Sequence, residues 1–287
     1  MITISGAAGK TGRAILRALR LHGMAARAMV RNAAQGAEVM ALGAAGFTLG
    51  DQMDASTWRE ALRGARALYL ICPNVHPHEA QMVEMALAAA RAAGLERVVY
   101  HSVLHPQVEA MPHHWQKMRG EEAIFASGMA FTILQPCAYM QNLLGYWGSI
   151  TREGIYPLPY SPHARVSLVD LADVAEAAAR VLREDGHTGA IYELSGPEAL
   201  TQTEVALRLS RELGRPVTAK QIDREAWRRS ASQSGLHGYA LETLIKMFVY
   251  YDQHGLIGNP RVLTWLLGRA PRDLTDFIKR VITEKDE

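Results

Sequence analysis

Short apolar runs alternate with longer stretches whose apolar residues recur every three to four positions. The runs at 2–5, 25–30, 47–49, 67–71, 97–102 and 131–134 read as strands. Between them lie helical stretches: one opening after Gly12, then about 33–42, 56–62, 77–93 and 112–127. In the first helix Ala14, Ile15, Ala18 and Leu19 form one face, with Arg13, Arg17 and Arg20 on the other. The run 67–71 is apolar throughout, as suits a strand covered on both faces of a parallel sheet. Such regular alternation predicts an α/β, doubly wound parallel sheet of the Rossmann type with right-handed crossovers.

The rhythm loosens after about residue 139. Residues 154–159, with two prolines, read as a loop, 171–182 as an Ala-rich helix, and 191–194 as a late strand. Thr201 with Glu204 three residues on forms a capping box that starts a helix to about 213. Helices are expected at 223–233, 239–253, 260–267 and 273–283. The chain therefore divides into residues 1–150, built on the sheet, and a smaller, mostly helical region, 151–287. The late strand would tie the second region into the main sheet.

The first strand runs straight into Gly6, Gly9 and Gly12 and then a helix. Unpaired N–H groups and the positive end of a helix dipole meet there, which is a seat for phosphate. Gly6 would permit the tight turn, Gly9 the approach of a pyrophosphate, and Gly12 close packing of helix on strand. Residues 1–150 thus read as a dinucleotide-binding domain. Arg31 directly follows the second strand, and no Asp or Glu occurs from 24 to 35. An arginine can pair with a 2′-phosphate where a carboxylate would hold ribose hydroxyls, so NADP(H) is preferred, with NAD(H) the second choice. Asp51, after the third strand, could meet an adenine edge or cap the next helix, and Pro73 and Asn74 end the fourth strand, where a cofactor should pass.

Composition narrows the partners. Thirty-one Lys and Arg against 29 Asp and Glu leave a net charge of +2, which makes no case for nucleic acid or a membrane surface. No apolar run reaches the ~18 residues of a membrane span. Cys72 and Cys137 are the only cysteines and have no metal or redox spacing, as in a reducing compartment. With a strand pattern beginning at Ile2, no leader is expected, and the chain reads as cytoplasmic. His76, His78, His101, His105, His113 and His114 lack the paired helical spacing of metal ligands, so no metal is expected.

His113, Lys117 and Glu121 are four apart and share one helix face, which should run past the strand end carrying Ser102. A lysine there can position a ribose or, if burial and a cationic neighbour perturb it, give up a proton.

With these residues in view, the chain resembles the NmrA-like branch of the atypical short-chain dehydrogenases/reductases. The likeness is carried by Gly6 through Gly12, Val30-Arg31, Gly50-Asp51, Tyr100-His101-Ser102 and His113 to Lys117. It continues through 127–136, Tyr139, Met140, Asn142, Asp173-Val174-Ala175 and 192–197. The resemblance implies cofactor contacts at Gly6, Ala8, Gly9, Lys10, Thr11, Gly12, Arg31, Asp51, Pro73, Asn74, Ser102, Lys117 and Pro136. Catalytic roles fall to Lys117, His113 and Tyr139, and a substrate wall to Tyr139, Met140, Leu143, Tyr156 and Phe248. It further implies hydride transfer from NADP(H) to a conjugated, quinonoid or aromatic small molecule, in a chain expected as a homodimer. The alternative is a non-catalytic NADP(H) sensor that binds a partner protein. Two departures stand out. The usual Tyr-x-x-x-Lys is His113-x-x-x-Lys117, and Gln135 replaces the arginine common before Pro136.

Overall fold

The computed structural model describes residues 1–286. In chain order its first half comprises β1 (Ile2–Ile4), α1 (Lys10–Leu21), β2 (Ala26–Val30), α2 (Ala33–Ala41), β3 (Gly46–Leu49) and α3 (Ala55–Ala61). These are followed by β4 (Ala67–Leu70), α4 (Glu79–Ala92), β5 (Arg97–His101), α5 (Pro112–Ala126) and β6 (Phe131–Pro136). Next come β7 (Ala138–Tyr139), a 3-10 helix (Met140–Tyr146), α6 (Trp147–Glu153), β8 (Ile155–Leu158), β9 (Arg165–Val169), α7 (Leu171–Arg183) and β10 (Ala190–Leu194). The last are β11 (Ala199–Thr201), α8 (Gln202–Leu213), β12 (Thr218–Gln221), α9 (Arg224–Gln233), α10 (Gly238–His254), α11 (Arg261–Leu267) and α12 (Leu274–Asp286).

The chain packs as two compact units, one of residues 1–107, 113–135 and 174–192, the other of 108–112, 136–173 and 193 onward. The first is built on a sheet of order β10-β6-β5-β4-β1-β2-β3. From β3 to β6 the neighbours pair in parallel, as the alternation predicted. Chain order reverses between β1 and β4, the switch point at which such sheets open a crevice at their carboxyl ends. Polar groups buried in β1 are satisfied. Thr3 Oγ1 donates to the carbonyl of Ala61 at 2.7 Å, and Ser5 Oγ both donates to and accepts from Ile71, at 2.9 and 2.8 Å. The α3/α4 side of the core joins Trp58, Leu62, Leu68, Leu70, Val83 and Tyr100.

The second unit departs from the expected pattern. It is rich in helix as predicted, but it also holds a three-stranded sheet, β11-β9-β7, and a pair, β12-β8. The loop expected at 154–159 is in fact β8, paired in parallel with β12 so that Pro157 faces Lys220. In a two-stranded ribbon each strand is an edge, where a proline without an N–H is tolerated. The two prolines therefore misread as turn chemistry.

Candidate active site

The three glycines of the β1–α1 turn are required for different reasons. Gly6 has φ +60°, and a Cβ there would sit 2.9 Å from the carbonyl oxygen of Ile71. A Cβ on Gly12 would lie 2.5 Å from Ala7 Cα, so this glycine seats α1 on the turn rather than on the strand. Gly9 is exposed, and a Cβ there would meet only Gly6 O, at 3.3 Å. Its outer face is thus open to something that is not protein. Gly9 is also the N-cap of α1, with no side chain capping the helix and no acid in its first turn. Lys10 and Thr11 begin the helix, and Ala8 is pinned from behind because Arg13 Nε donates to its carbonyl at 2.7 Å. A Gly-lined, uncapped helix start with a positive dipole end fits a pyrophosphate.

Beside this turn, Arg31 is exposed at the end of β2, which pairs with β1. Its backbone N–H donates to Gln35 Oε1 at 3.0 Å, while Asn32 caps α2, so the guanidinium is left on the surface. Asp51 is turned to its own loop, accepting from the N–H of Met53 at 2.8 Å, and Asp54, not Asp51, caps α3.

Backbone strain gathers where β4 and β5 end. Among the described residues, the non-glycine positive φ angles are those of Val75 (52°) and His105 (54°). A β-branched residue in that region is costly. Pro73 and Asn74 lie exposed just before Val75.

The α5 face falls across the same end of the sheet. Lys117 Nζ donates to the carbonyl of His101 at 2.8 Å and pairs with Glu79 at 2.5 Å. Tyr100 Oη donates to Glu79 Oε1 at 2.9 Å. Burial, then the charge of Glu79, pushes the Tyr100 phenol well above its ordinary range, so it remains a donor. One turn on, Ser102 Oγ donates to Glu121, and Gln135 Nε2 reaches both oxygens of that carboxyl, at 2.8 and 3.0 Å. Burial raises the Glu121 pKa against those hydrogen bonds. Gln135, in the place where related chains often carry an arginine, thus supplies hydrogen bonds without supplying charge.

His113 Nδ1 is buried without a hydrogen-bond partner, and its ring lies edge-on to His114 at 4.5 Å. Burial, then the neighbouring His114 and Lys117, lowers its pKa to about 3, so it is neutral at pH 7. His101 is depressed to about 3 by burial and then by Lys117, with Nδ1 2.8 Å from Tyr69 Oη. Among the described residues no three His, Cys, Asp or Glu come together to hold a metal.

In the first unit, then, Lys117 and Ser102 converge near the end of β5, with Glu121 on the expected face of α5 and with Glu79 and Tyr100 as unforeseen partners. Glu79 carried a signal. It falls on the helical phase of Met82, Val83 and Ala86, the buried stripe of α4, and an acid on that phase must have a partner.

The remaining candidates belong to the second unit, including Pro136 at the end of β6, which is buried. Tyr139 is half-buried in β7, in register with Val169, and Met140 and Leu143 are buried along the 3-10 helix. Tyr156 Oη donates to Gln202 Oε1 at 3.2 Å. Phe248 stacks on Tyr160 at 5.8 Å and meets the edge of Trp227 at 4.7 Å. Tyr156 and Phe248 are 5% and 6% exposed, so in this structure they pack an aromatic core of their unit.

These features can be set beside known proteins. Over 284 residues, 97% of each chain, the sequence is 29% identical to the NAD(P)H azoreductase of Xenophilus azovorans. Over 285 residues, 98% of each chain, it is 28% identical to quinone oxidoreductase 2 of Escherichia coli (strain K12). The fold is similar to that of an NADPH-dependent quinone oxidoreductase from Escherichia coli solved with NADPH, with a TM-score of 0.86 and 27% identity. That match covers 98% of this chain and 100% of the other. The profile of the NmrA-like family matches residues 1–281. The chain belongs to the NmrA-like family, a branch of the atypical short-chain dehydrogenases/reductases.

Proposed function

We propose that this protein is an NADPH-dependent reductase that delivers hydride to a small, conjugated, quinonoid or aromatic substrate. The observation that carries the reading is the β1–α1 turn, an uncapped helix start whose outer face a side chain at Gly9 would close. Whole-length similarity to an azoreductase and a quinone oxidoreductase supports the substrate class. When bound, NADPH supplies the hydride. The residues of this chain hold and orient. The turn from Gly6 to Gly12 takes the pyrophosphate through backbone N–H groups, and Arg31 pairs with the 2′-phosphate. Lys117 holds the nicotinamide ribose with the donor not taken by Glu79 or His101. Pro73, Asn74, Ser102 and Pro136 line the path at the strand ends.

In the same reading, residues 1–150 bind the cofactor and bring Tyr139, Met140 and Leu143 to the substrate site, which the later region completes with Tyr156 and Phe248. Admission of a planar substrate there requires Tyr156 and Phe248 to move apart from their present partners. A quinone needs little acid catalysis, so a neutral His113 in place of the usual tyrosine is compatible with turnover. The substrate is a small molecule rather than nucleic acid, and the two buried free thiols suit a cytoplasmic setting. Light scattering on the purified protein tests the expected homodimer.

The rival reading, an NADP(H)-responsive regulator, is favoured by the engagement of Lys117 with a buried acid and by the neutral His113. Steady NADPH oxidation over a panel of quinones and azo dyes decides between the two. Turnover establishes the reductase, whereas tight NADPH binding with no acceptor reduced overturns it.

A further inference from the structure

Glu79 begins α4 on the phase that packs Met82, Val83, Ala86 and Ala90 into the core. Its side chain is 1% exposed, and removing a carboxylate from water to this extent is costly without a partner. An apolar residue would fill the same position with no charge to neutralise, so packing does not explain the acid.

What surrounds it is a fixed arrangement from three successive elements: Glu79 on α4, Tyr100 on β5 and Lys117 on α5. The Tyr100 hydroxyl sits in a notch that exists because residue 120 is glycine, for a Cβ there would lie 2.7 Å from it. From that notch it donates to one oxygen of Glu79. The ammonium of Lys117 is then held from two sides, by the Glu79 carboxylate and by the carbonyl of His101. It also lies 5.2 Å from the centroid of the Tyr100 ring, within cation–π range. The Lys117 side chain is 15% exposed, so an otherwise flexible four-carbon stem is confined at the strand end.

We propose that Glu79 is a positioning residue of the active site, which acts through Lys117 by fixing its ammonium at the carboxyl end of β5 for contact with the cofactor. Tyr100, seated against Gly120, sets the carboxylate in turn. The inference rests on the reading of Lys117 as a cofactor contact. Its content is that affinity for NADPH depends on a buried acid one helix away, through the order it imposes on a lysine.

The test is a double-mutant cycle read by NADPH fluorescence titration, with circular dichroism confirming the fold of each protein. Lys117→Ala and Glu79→Gln should each raise the NADPH dissociation constant roughly tenfold, or about 1.4 kcal/mol. In the double variant the loss should equal that of Lys117→Ala alone, because Glu79 has nothing left to act through. Glu79→Asp, which keeps the charge, should recover part of the affinity that the nearly isosteric Gln loses. Wild-type affinity in Glu79→Gln, or a full second loss in the double variant, overturns the inference. If Glu79→Gln fails to fold, Tyr100→Phe serves instead. It keeps the ion pair, and its loss of roughly threefold should vanish in the Lys117→Ala background. An effect that persists in that background overturns the inference equally. Unchanged affinity in Lys117→Ala refutes the reading of Lys117 itself, whereas loss in Lys117→Ala with none in Glu79→Gln refutes only the role given to Glu79.

Discussion

Two places in the molecule bury acids against cations, and they are built in opposite ways. In the second unit Asp173 is completely buried. It accepts from Arg269 Nη2 at 2.7 Å, from the backbone N–H of Arg272 at 2.6 Å and from the Arg272 guanidinium. Asp170, equally buried, takes Gln141, the N–H of Ala172 and Arg280. This clasp ties the C-terminal segment to the start of α7. In the first unit Glu79 holds a lysine, which is flexible and presents a compact charge. Around the ends of β4 and β5 lie two left-handed non-glycine residues, Val75 and His105, and the orphaned Nδ1 of His113. A clasp uses rigid guanidinium forks and leaves its acids fully bonded. The cluster around Lys117 keeps strain and unspent polar capacity, which in the reading proposed above serve a ligand.

The largest effect that would break this contrast is at the clasp. Asp173→Ala should cost about 3–5 kcal/mol of unfolding free energy, the usual loss when one partner of a buried ion pair is removed. In the protein that remains folded, NADPH affinity should hardly change. Urea titration followed by cofactor titration checks both halves, and a large loss of affinity without loss of stability would make Asp173 part of the site.

At the turn the expectation is reversed. Gly9→Val leaves the protein folded, since its Cβ meets only Gly6 O at 3.3 Å, yet it blocks the open face. NADPH binding should weaken by about a hundredfold or more, or ~2.7 kcal/mol. Calorimetric titration that found unchanged affinity in the folded variant would remove this turn from the cofactor site.

A smaller effect sharpens the picture of specificity. Arg31→Ala should weaken NADPH binding by about tenfold or more, as loss of a charge-assisted contact worth roughly 1.5–3 kcal/mol implies. NADH binding should be almost untouched. Comparison of the two dissociation constants shows whether Arg31 reads the 2′-phosphate, and equal losses would mean that it does not.

How much of this was legible in the sequence follows from the same contrast. The alternating pattern announced the sheet because both of its signals, apolar run and helical period, are local. Gly6 and Gly12 were legible as necessary glycines, although the partner of Gly12 proved to be Ala7. Lys117 could be placed on a helix face, but its partner lies on the preceding helix, and sequence spacing along α5 carries no trace of a contact made across β5. Glu79 stood in the sequence as an acid on the apolar phase of α4, a signal that calls for a partner without naming it. Strand β8 was missed because its pairing with β12 is distant in the chain and its prolines speak for a turn. Tyr156 and Phe248 are aromatic and apolar, and composition does not distinguish the wall of a pocket from the inside of a core.

The smallest effect concerns the histidines beneath the site. His101 is buried next to Lys117 and neutral, with its pKa lowered to about 3 against about 6.5 for an unfolded histidine. The folded chain therefore binds fewer protons than the unfolded one in the interval between these values. Its contribution to stability is fully present above about pH 6.5 and is lost progressively as pH falls towards about 3. Over the first pH unit below 6.5 the loss from one such group is about 1 kcal/mol. His101→Asn retains a polar atom for the Tyr69 hydroxyl but does not titrate. The difference in unfolding free energy between pH 6.5 and 5.5 should accordingly be about 1 kcal/mol smaller in the variant than in the wild type. His113 and His114, depressed to about 3 and about 4, titrate in the same direction and keep a residual slope in both proteins. Urea titrations across that range measure the difference directly. Equal acid slopes in the two proteins would mean that His101 is hydrated or charged in the fold, and that the floor of the site is wetter than its hydrogen bonds imply.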